Sequence, residues 1–503
     1  MVAMRISLPF AATAALAALA CASPDGASGG GDAGSFTPPM AVACEHTGSG
    51  TVYDVGDGQP YPALGDVPWY ALGPGDTVRV HWRAQPYREK VLLSNSGAPG
   101  DPIRLCGVPG PGGELPVIDG NGAVTSPNQH WHPYLPLQDA AVVMVTEDDD
   151  DRYGTRTEYL AIEGLVIRGA YRDYTYTNSQ GDVRNYDSFA AGLYITHGAH
   201  IDVRGNVFTD NGLGLFTLSK DETDAHVTED ILIEGNLFSG NGVVGEEARH
   251  NCYTQALGVV VQFNRFERLR DGAGGGNYKD RSAGTVFRYN WVEGGARQVD
   301  LVDAQEHVDH ALADPRYRET FVYGNVILND EASGDGGHIV HYGGDTLGFE
   351  QNFRKGTLYF FHNTVVTSAD ADDRYRTAVI EVSTNDETVD ARNNVIVRHG
   401  TTHLALVGRD GQLHLGVNWV SDGYWTAYED FRGSVDGEAN LIAGADPGLD
   451  ADLRPVAGSP LIDAAGPLAD GAPPVDAEYA PPATGQPRSV RGAAMDLGAF
   501  EGG

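Results

Sequence analysis

What this sequence has little of narrows the field first. Positive charge is scarce: 34 Lys and Arg stand against 69 Asp and Glu, a formal net charge of -35. Such a polyanion is repelled by nucleic acid, which is excluded as a partner. The same deficit works against an acidic polysaccharide, unless cationic side chains gather locally or a metal cation bridges. Cysteine is rare too, 4 in 503 residues, and no Cys cluster of zinc-binding spacing occurs. A Gly-rich phosphate loop and a nucleophile elbow are also missing, so nucleotide binding and the α/β-hydrolase pattern have no carrier. After residue 21 no apolar run approaches the length of a membrane-spanning helix. Helical periodicity is sparse throughout, and only five Met are present.

Gly is abundant, 66 residues, with 27 Pro, interspersed with short runs of Val, Ile, Phe and Tyr that alternate with period two. That is the chemistry of strands broken by tight turns. One phrase recurs, an Asn beside apolar residues: GNVF at Asn206, GNLF at Asn236, FNRF at Asn264, YNWV at Asn290, GNVI at Asn325, HNTV at Asn363, NNVI at Asn394, VNWV at Asn418 and ANLI at Asn440. Consecutive markers lie 22 to 38 residues apart, the regime of stacked repeats interrupted by loops of different length. The expected fold is all-β, a single-domain right-handed parallel β-helix whose inward side chains form columns and whose Asn residues form a ladder at a fixed bend.

Residues 1–20 read as an export signal, with one early Arg, an apolar core and small residues at the end. Ala18-Leu19-Ala20-Cys21 resembles a bacterial lipobox with Ala where Leu is usual, which implies lipidation of Cys21; cleavage after Ala-x-Ala, giving a free product, is the alternative. Residues 21–42 read as a flexible tether, 43–125 as an N-terminal cap and first rungs, 126–440 as the parallel β-helix repeats, and 441–503 as a C-terminal capping tail. The protein is therefore expected as an outer-membrane lipoprotein or a secreted protein, a monomer that touches a membrane only through its N-terminal lipid. In that oxidising setting Cys44 and Cys106 can pair, whereas Cys252 reads as an inward, packed thiol. The acidic run 147–151 reads as a solvated turn. It lacks the ligand spacing and bend Gly of a Ca2+ loop, so no cofactor is assigned; Ca2+, which could bridge the chain to an acidic glycan, is the one candidate.

Chemistry concentrates between residues 250 and 303. Tyr253 precedes Asn264 by the interval at which Lys279 precedes Asn290, so aligning the rungs sets Asn251, Cys252, Tyr253 and Gln255 over Asn277, Tyr278, Lys279 and Arg281. Side chains alternate along a strand, so Lys279 and Arg281 share a face. Cations are seldom buried, so that face is expected on the outside, with Tyr253 one rung away at about 4.8 Å. Asp300 and His341 follow on later rungs. Lys279, Arg281, Tyr253 and His250 are the candidate catalytic residues, and Asn251, Asn277, Asp300 and His341 the candidate substrate binders; no metal ligand is assigned. Between residues 265 and 297 seven Lys or Arg face four acids, a basic island that supplies the local positive charge an acidic glycan needs.

Two competing patterns are visible. His307 and His310 in EHVDH have a spacing that could bind a metal on a helix, but the segment reads as an exposed loop. Asp300 and Asp303 could be the acid pair of a glycoside hydrolase, but a regular strand sends them to opposite faces. The excursions 171–187 and 303–318 are loops that could wall a cleft.

The rung NYKDRSAGTVFRYN, with its neighbours, resembles the Lys-bearing rung of parallel β-helix polysaccharide lyases of the chondroitinase B and alginate lyase type. The closing segment, from DPGLDADLRPVAGSPLID to MDLGAFEGG, resembles that of secreted bacterial right-handed β-helix proteins. The resemblance implies a polysaccharide substrate cleaved beside a uronate by β-elimination, with Lys279 as base. In that group the partner Arg stands on the next rung, where this chain has Asp300; the available cation is Arg281, on the same strand as Lys279. Elimination needs a base for the proton next to the carboxylate and a cation for the developing charge. Either Arg281 favours a neutral Lys279 amine, or both cations bind the carboxylate and Tyr253 or His250 moves the proton. A non-catalytic glycan-binding or envelope lipoprotein and a glycoside hydrolase are the alternatives.

Overall fold

The computed structural model describes residues 38–131, 136–147, 155–330, 337–370 and 377–503. The export signal, Cys21, the tether up to residue 37 and acidic residues 148–151 lie outside them. Three long sheets make up the described body: 13 strands from Val52–Val55 to Ser434–Asp436, 11 from Val91–Leu93 to Trp425–Ala427, and 11 from Val117–Asp119 to Leu441–Gly444. The chain takes one strand of each in turn. Leu257–Gln262 lies in the first sheet, Arg265–Phe266 in the third, Tyr278–Asp280 in the second, and Ala283–Arg288 returns to the first. Neighbouring coils pair in parallel and in register, which makes the fold a right-handed parallel β-helix. Like residues stack along its axis: the rings of Phe208, Phe238 and Phe266 follow one another at 5.0 and 4.8 Å, close to the inter-strand spacing.

The Asn marker works as expected at eight of its nine positions. Nδ2 of Asn264 donates to Oδ1 of Asn290 at 3.1 Å and to the carbonyl of Ile233 at 2.8 Å, and equivalent bonds link Asn206 through to Asn418. Asn440 departs from the pattern, sitting in a 3-10 turn and donating to the carbonyl of Leu415. The residue before a ladder Asn adopts a left-handed backbone at seven of the eight positions, Gly205, Gly235 and Gly324 but also Phe263, Tyr289, His362 and Asn393, which is why Gly-Asn recurs. A second, unforeseen ladder joins Asn211, Asn241, Asn251 and Asn277 at the bend into the second sheet. Because these amides are buried, Asn290→Ala strips partners from groups that cannot reach water. We expect it to lower stability by about 1–3 kcal/mol in chemical denaturation; a loss within experimental error would mean that the ladder is dispensable.

Strands of all three sheets occur among the first rungs before residue 126, and at the other end Leu441–Gly444 still pairs with the third sheet. The tail beyond it runs back along the outside of the third sheet, where Leu461 and Leu497 pack on Val395 and Trp419, and Tyr479 and Phe500 on Val326. The physical reason is that this outer face is apolar and needs covering. At the other end Cys44 and Cys106 form a disulfide, and Cys252 is a buried thiol of the core.

Candidate active site

Four successive strands of the second sheet carry the candidate residues: β1 (Cys252–Thr254), β2 (Tyr278–Asp280), β3 (Val299–Leu301) and β4 (His338–Tyr342). Tyr253 pairs with Lys279, Lys279 with Asp300, and Asp300 with His341. Extended in both directions, this outward column reads Tyr194, Phe216, Tyr253, Lys279, Asp300, His341 and Glu381. It is aromatic at one end, with successive rings 4.9 Å apart, and charged at the other. A trough of about 940 Å³ opens over its middle, lined by His250, Tyr253, Lys279, Arg281 and Asp300. The excursion 303–318 contributes Gln305 and Glu306 to the walls. The excursion 171–187 instead folds into a small sheet with Ala123–Val124.

Lys279 and Arg281 share the outward face, but that face is not exposed: they are 7% and 4% accessible. The connection that follows β4 folds over them and inserts Asp345. Nζ of Lys279 donates to Asp300 at 2.6 Å and to Asp345 at 2.7 Å. Arg281 donates from Nε to the Tyr253 hydroxyl at 2.8 Å, from Nη1 to the carbonyl of Asp303 at 2.5 Å, and from Nη2 to both oxygens of Asp345 at 2.8 and 3.1 Å. The expectation that Arg281 leaves Lys279 a free amine is therefore corrected: Nζ is committed as a donor to two carboxylates, and Arg281 is itself neutralised by one of them. Asp303 also meets Arg281, at 3.3 Å. The opposite-face argument fails there because β3 ends at Leu301 and Asp303 lies beyond the regular alternation.

Asn251 and Asn277, expected to bind substrate, are fully buried. They belong to the second ladder, Nδ2 of Asn251 donating to Oδ1 of Asn277 at 2.6 Å, and they do not line the trough. His341 is buried behind Asp300, its ring between Asp300 Oδ1 at 2.8 Å and Ser383 Oγ at 3.0 Å; it holds Asp300 rather than facing the trough. His250 does face it, edge-on to Tyr253. Its Nδ1 accepts the backbone N–H of Gly276 at 2.9 Å, and burial, then the Lys279 charge, push its imidazole down to about 3. The ring is thus neutral with its hydrogen on Nε2, which makes it a donor and not a base.

The basic island disperses in three dimensions. Arg265 pairs with Glu293, Arg268 with Asp330 and Arg270 with Asp210, because a strand sends alternate side chains to different surfaces. The trough keeps three cations, Lys279, Arg281 and Arg297, against four carboxylates, Glu247, Asp300, Glu306 and Asp345, so it carries no excess of positive charge. His307 and His310 do not converge on a metal: the segment opens a short helix, Val308–Ala313, where His307 is buried and His310 bonds to Asp221 and Asp224. Glu147, expected in a solvated turn, is buried against His197 at 2.5 Å. Among the described residues no group of three or more His, Cys, Asp or Glu has metal-binding geometry.

Two residues escaped the sequence reading. Asp345 sits on a connection of variable length with no rung marker to place it. Gln255 was aligned but given no role; its Nε2 donates to the Tyr253 hydroxyl at 3.3 Å. Burial raises the Asp300 and Asp345 carboxyls, but Lys279 acting together with His341 and Arg297 at Asp300, and with Arg281 at Asp345, outweighs it, holding Asp300 well below the carboxylate range and Asp345 at about 2. Folded values below unfolded ones mean that this stability is present above about pH 4 and is lost as pH falls through the folded values. Acid melting curves should therefore show a falling melting temperature below about pH 4, with a smaller fall in Asp345→Asn; an equal fall in both would remove Asp345 from the acid response.

No protein-family model matches the sequence, and no curated protein matches it. Solved structures do. A structure described as Geobacillus virus E2 ORF18 aligns at 11% identity and TM-score 0.33 over 74% of this chain, which spans 54% of that one. An alginate lyase from Paenibacillus sp. str. FPU-7 aligns at 14% identity and TM-score 0.37, covering 67% of this chain and 92% of that one. The GH136 lacto-N-biosidase from Eubacterium ramulus aligns at 13% identity and TM-score 0.43, covering 78% and 67%. These are likenesses of backbone outline and decide nothing about the chemistry in the trough.

Proposed function

We propose that this is an exported protein whose trough binds an extracellular polysaccharide and cleaves it beside a uronate by β-elimination. The observation that carries the reading is the contact between the Tyr253 hydroxyl and Arg281 Nε, 2.8 Å long, in the wall of the trough. It sets a proton-carrying oxygen against a permanent cation, the pair that elimination next to a carboxylate requires. Acting as a phenolate that accepts from Arg281 Nε and Gln255 Nε2, Tyr253 takes the proton from the carbon bearing the carboxylate; a C=C bond forms as the glycosidic C–O bond breaks with its electron pair on oxygen, and the proton then passes from Tyr253 to that leaving oxygen. Arg281 and Lys279 offset the charge that builds on the carboxylate. His250 and Gln255 hold hydroxyls, and the rings at Phe216 and Tyr253 give the sugar an apolar face.

Incubation with alginate, pectate and chondroitin tests this directly. Elimination creates an unsaturated, ultraviolet-absorbing product, whereas new reducing ends without that absorbance would replace elimination by hydrolysis. A second reading, glycan binding without cleavage, is favoured by one observation: each cation in the trough already has a carboxylate partner. It predicts retention of a polymer with neither product.

A further inference from the structure

We propose that Asp345 occupies, in the free protein, the place of a substrate carboxylate: the gap between Lys279 Nζ and the Arg281 guanidinium is a carboxylate subsite that the protein fills with its own side chain. The inference rests on the trough being a glycan site, and it names a uronate as the sugar that site selects.

The partners of these two cations differ in how they are held. Asp300 lies on β3 and Asp303 just beyond it, and both are part of the coil. Asp345 is on the connection after β4, between Gly344 and a Gly348 whose backbone is left-handed. Its backbone N–H is tied to Asp303 Oδ1 at 2.8 Å, so rotation of the side chain alone would vacate the gap without moving a rung. Its side chain is 26% accessible, against 5% for Asp300 and 0% for Asp303. It also presents both oxygens to Nη2 of Arg281 and one of them to Nζ of Lys279, charge-assisted contacts that any carboxylate placed there could make.

Charge balance sets the class of ligand. Lys279, Arg281 and Arg297 meet Asp300, Asp303 and Asp345, so exchanging one carboxylate for another keeps the network neutral. A neutral sugar in the same place would leave buried cations short of a partner. Beside the gap, two buried atoms have no hydrogen-bond partner, Nε2 of His250 and Oε1 of Gln255, and both residues line the trough. One is a donor and the other an acceptor, which suits the hydroxyls of a sugar ring whose carboxylate has displaced Asp345.

Calorimetric titration of the whole protein and of Asp345→Ala and Asp345→Asn with sodium glucuronate, sodium acetate and glucose provides the test. Removing the internal competitor is expected to tighten glucuronate by about tenfold or more, to tighten acetate as well, and to leave glucose unchanged. Glucuronate binding that is unchanged or weaker in both variants overturns the proposal and makes Asp345 a strut. Should the variants fail to fold, the unaltered protein labelled with 13C at Asp carboxyls still decides: glucuronate shifts one resonance and glucose none, and no shift overturns the idea. The outcome is separable from the cleavage assay. Displacement of Asp345 without unsaturated product sinks elimination and keeps the subsite, while unsaturated product without any Asp345 effect does the reverse.

Discussion

Replacing Tyr253 with Phe lowers kcat by about a hundred- to ten-thousand-fold and leaves KM near its starting value. Phe keeps the ring contacts, 4.9 Å to Phe216 and 5.6 Å to His250, so the apolar platform survives. What disappears is the oxygen that accepts from Arg281 and Gln255. Arg281 stays in position because the carbonyl of Asp303 still holds Nη1, and Asp345, or the substrate carboxylate that takes its place, holds Nη2. Substrate binding therefore persists while proton transfer does not. The release of unsaturated product from whichever uronate polymer the unaltered protein degrades is the measurement. Equal turnover in the two proteins would return the proton to Lys279 or to a group outside this cluster.

The coil was legible in the sequence because its determinants are local and repeated: a strand, a left-handed residue, a buried Asn, another strand. The same regularity gave the register of Tyr253 over Lys279, which the ladder pairing reproduces. Burial was not legible. Alternation says which way Lys279 points, but it cannot say that the connection after β4 returns to cover it, since that connection carries no repeat. The basic island misled for a related reason: clustering in sequence does not survive a strand's alternation and a coil's turns, and Arg265, Arg268 and Arg270 end on carboxylates outside the trough. Asn251 and Asn277 look the same in sequence whether they bind sugar or each other. Only the spacing of 26 residues between them, shared with Asn264 and Asn290, hinted at a second ladder.

Arg354→Met is expected to cost about 3–5 kcal/mol of stability, more than any other single change considered. The side chains of Arg354 and Asp280 are both fully inaccessible, and their ion pair is 2.7 Å long. Asp280 points inward from β2, between the outward Lys279 and Arg281, where it also accepts from Thr254 and Thr285. Arg354 ends the connection that carries Asp345 and donates to the carbonyls of Val302 and Asp280. One buried pair thus ties the trough's covering connection to the strand beneath it. With Met in place of Arg, Asp280 keeps its hydroxyl donors but loses its cation in a site closed to bulk solvent, which is why a broken pair costs more than the pair contributes. Asp280→Asn on top of Arg354→Met removes the stranded charge, so the double variant should recover part of the loss; the cycle of melting curves gives the coupling directly. Additive losses, or a single-variant loss below about 0.5 kcal/mol, would show that the connection is held by its other contacts and that Asp345 is positioned independently of the core.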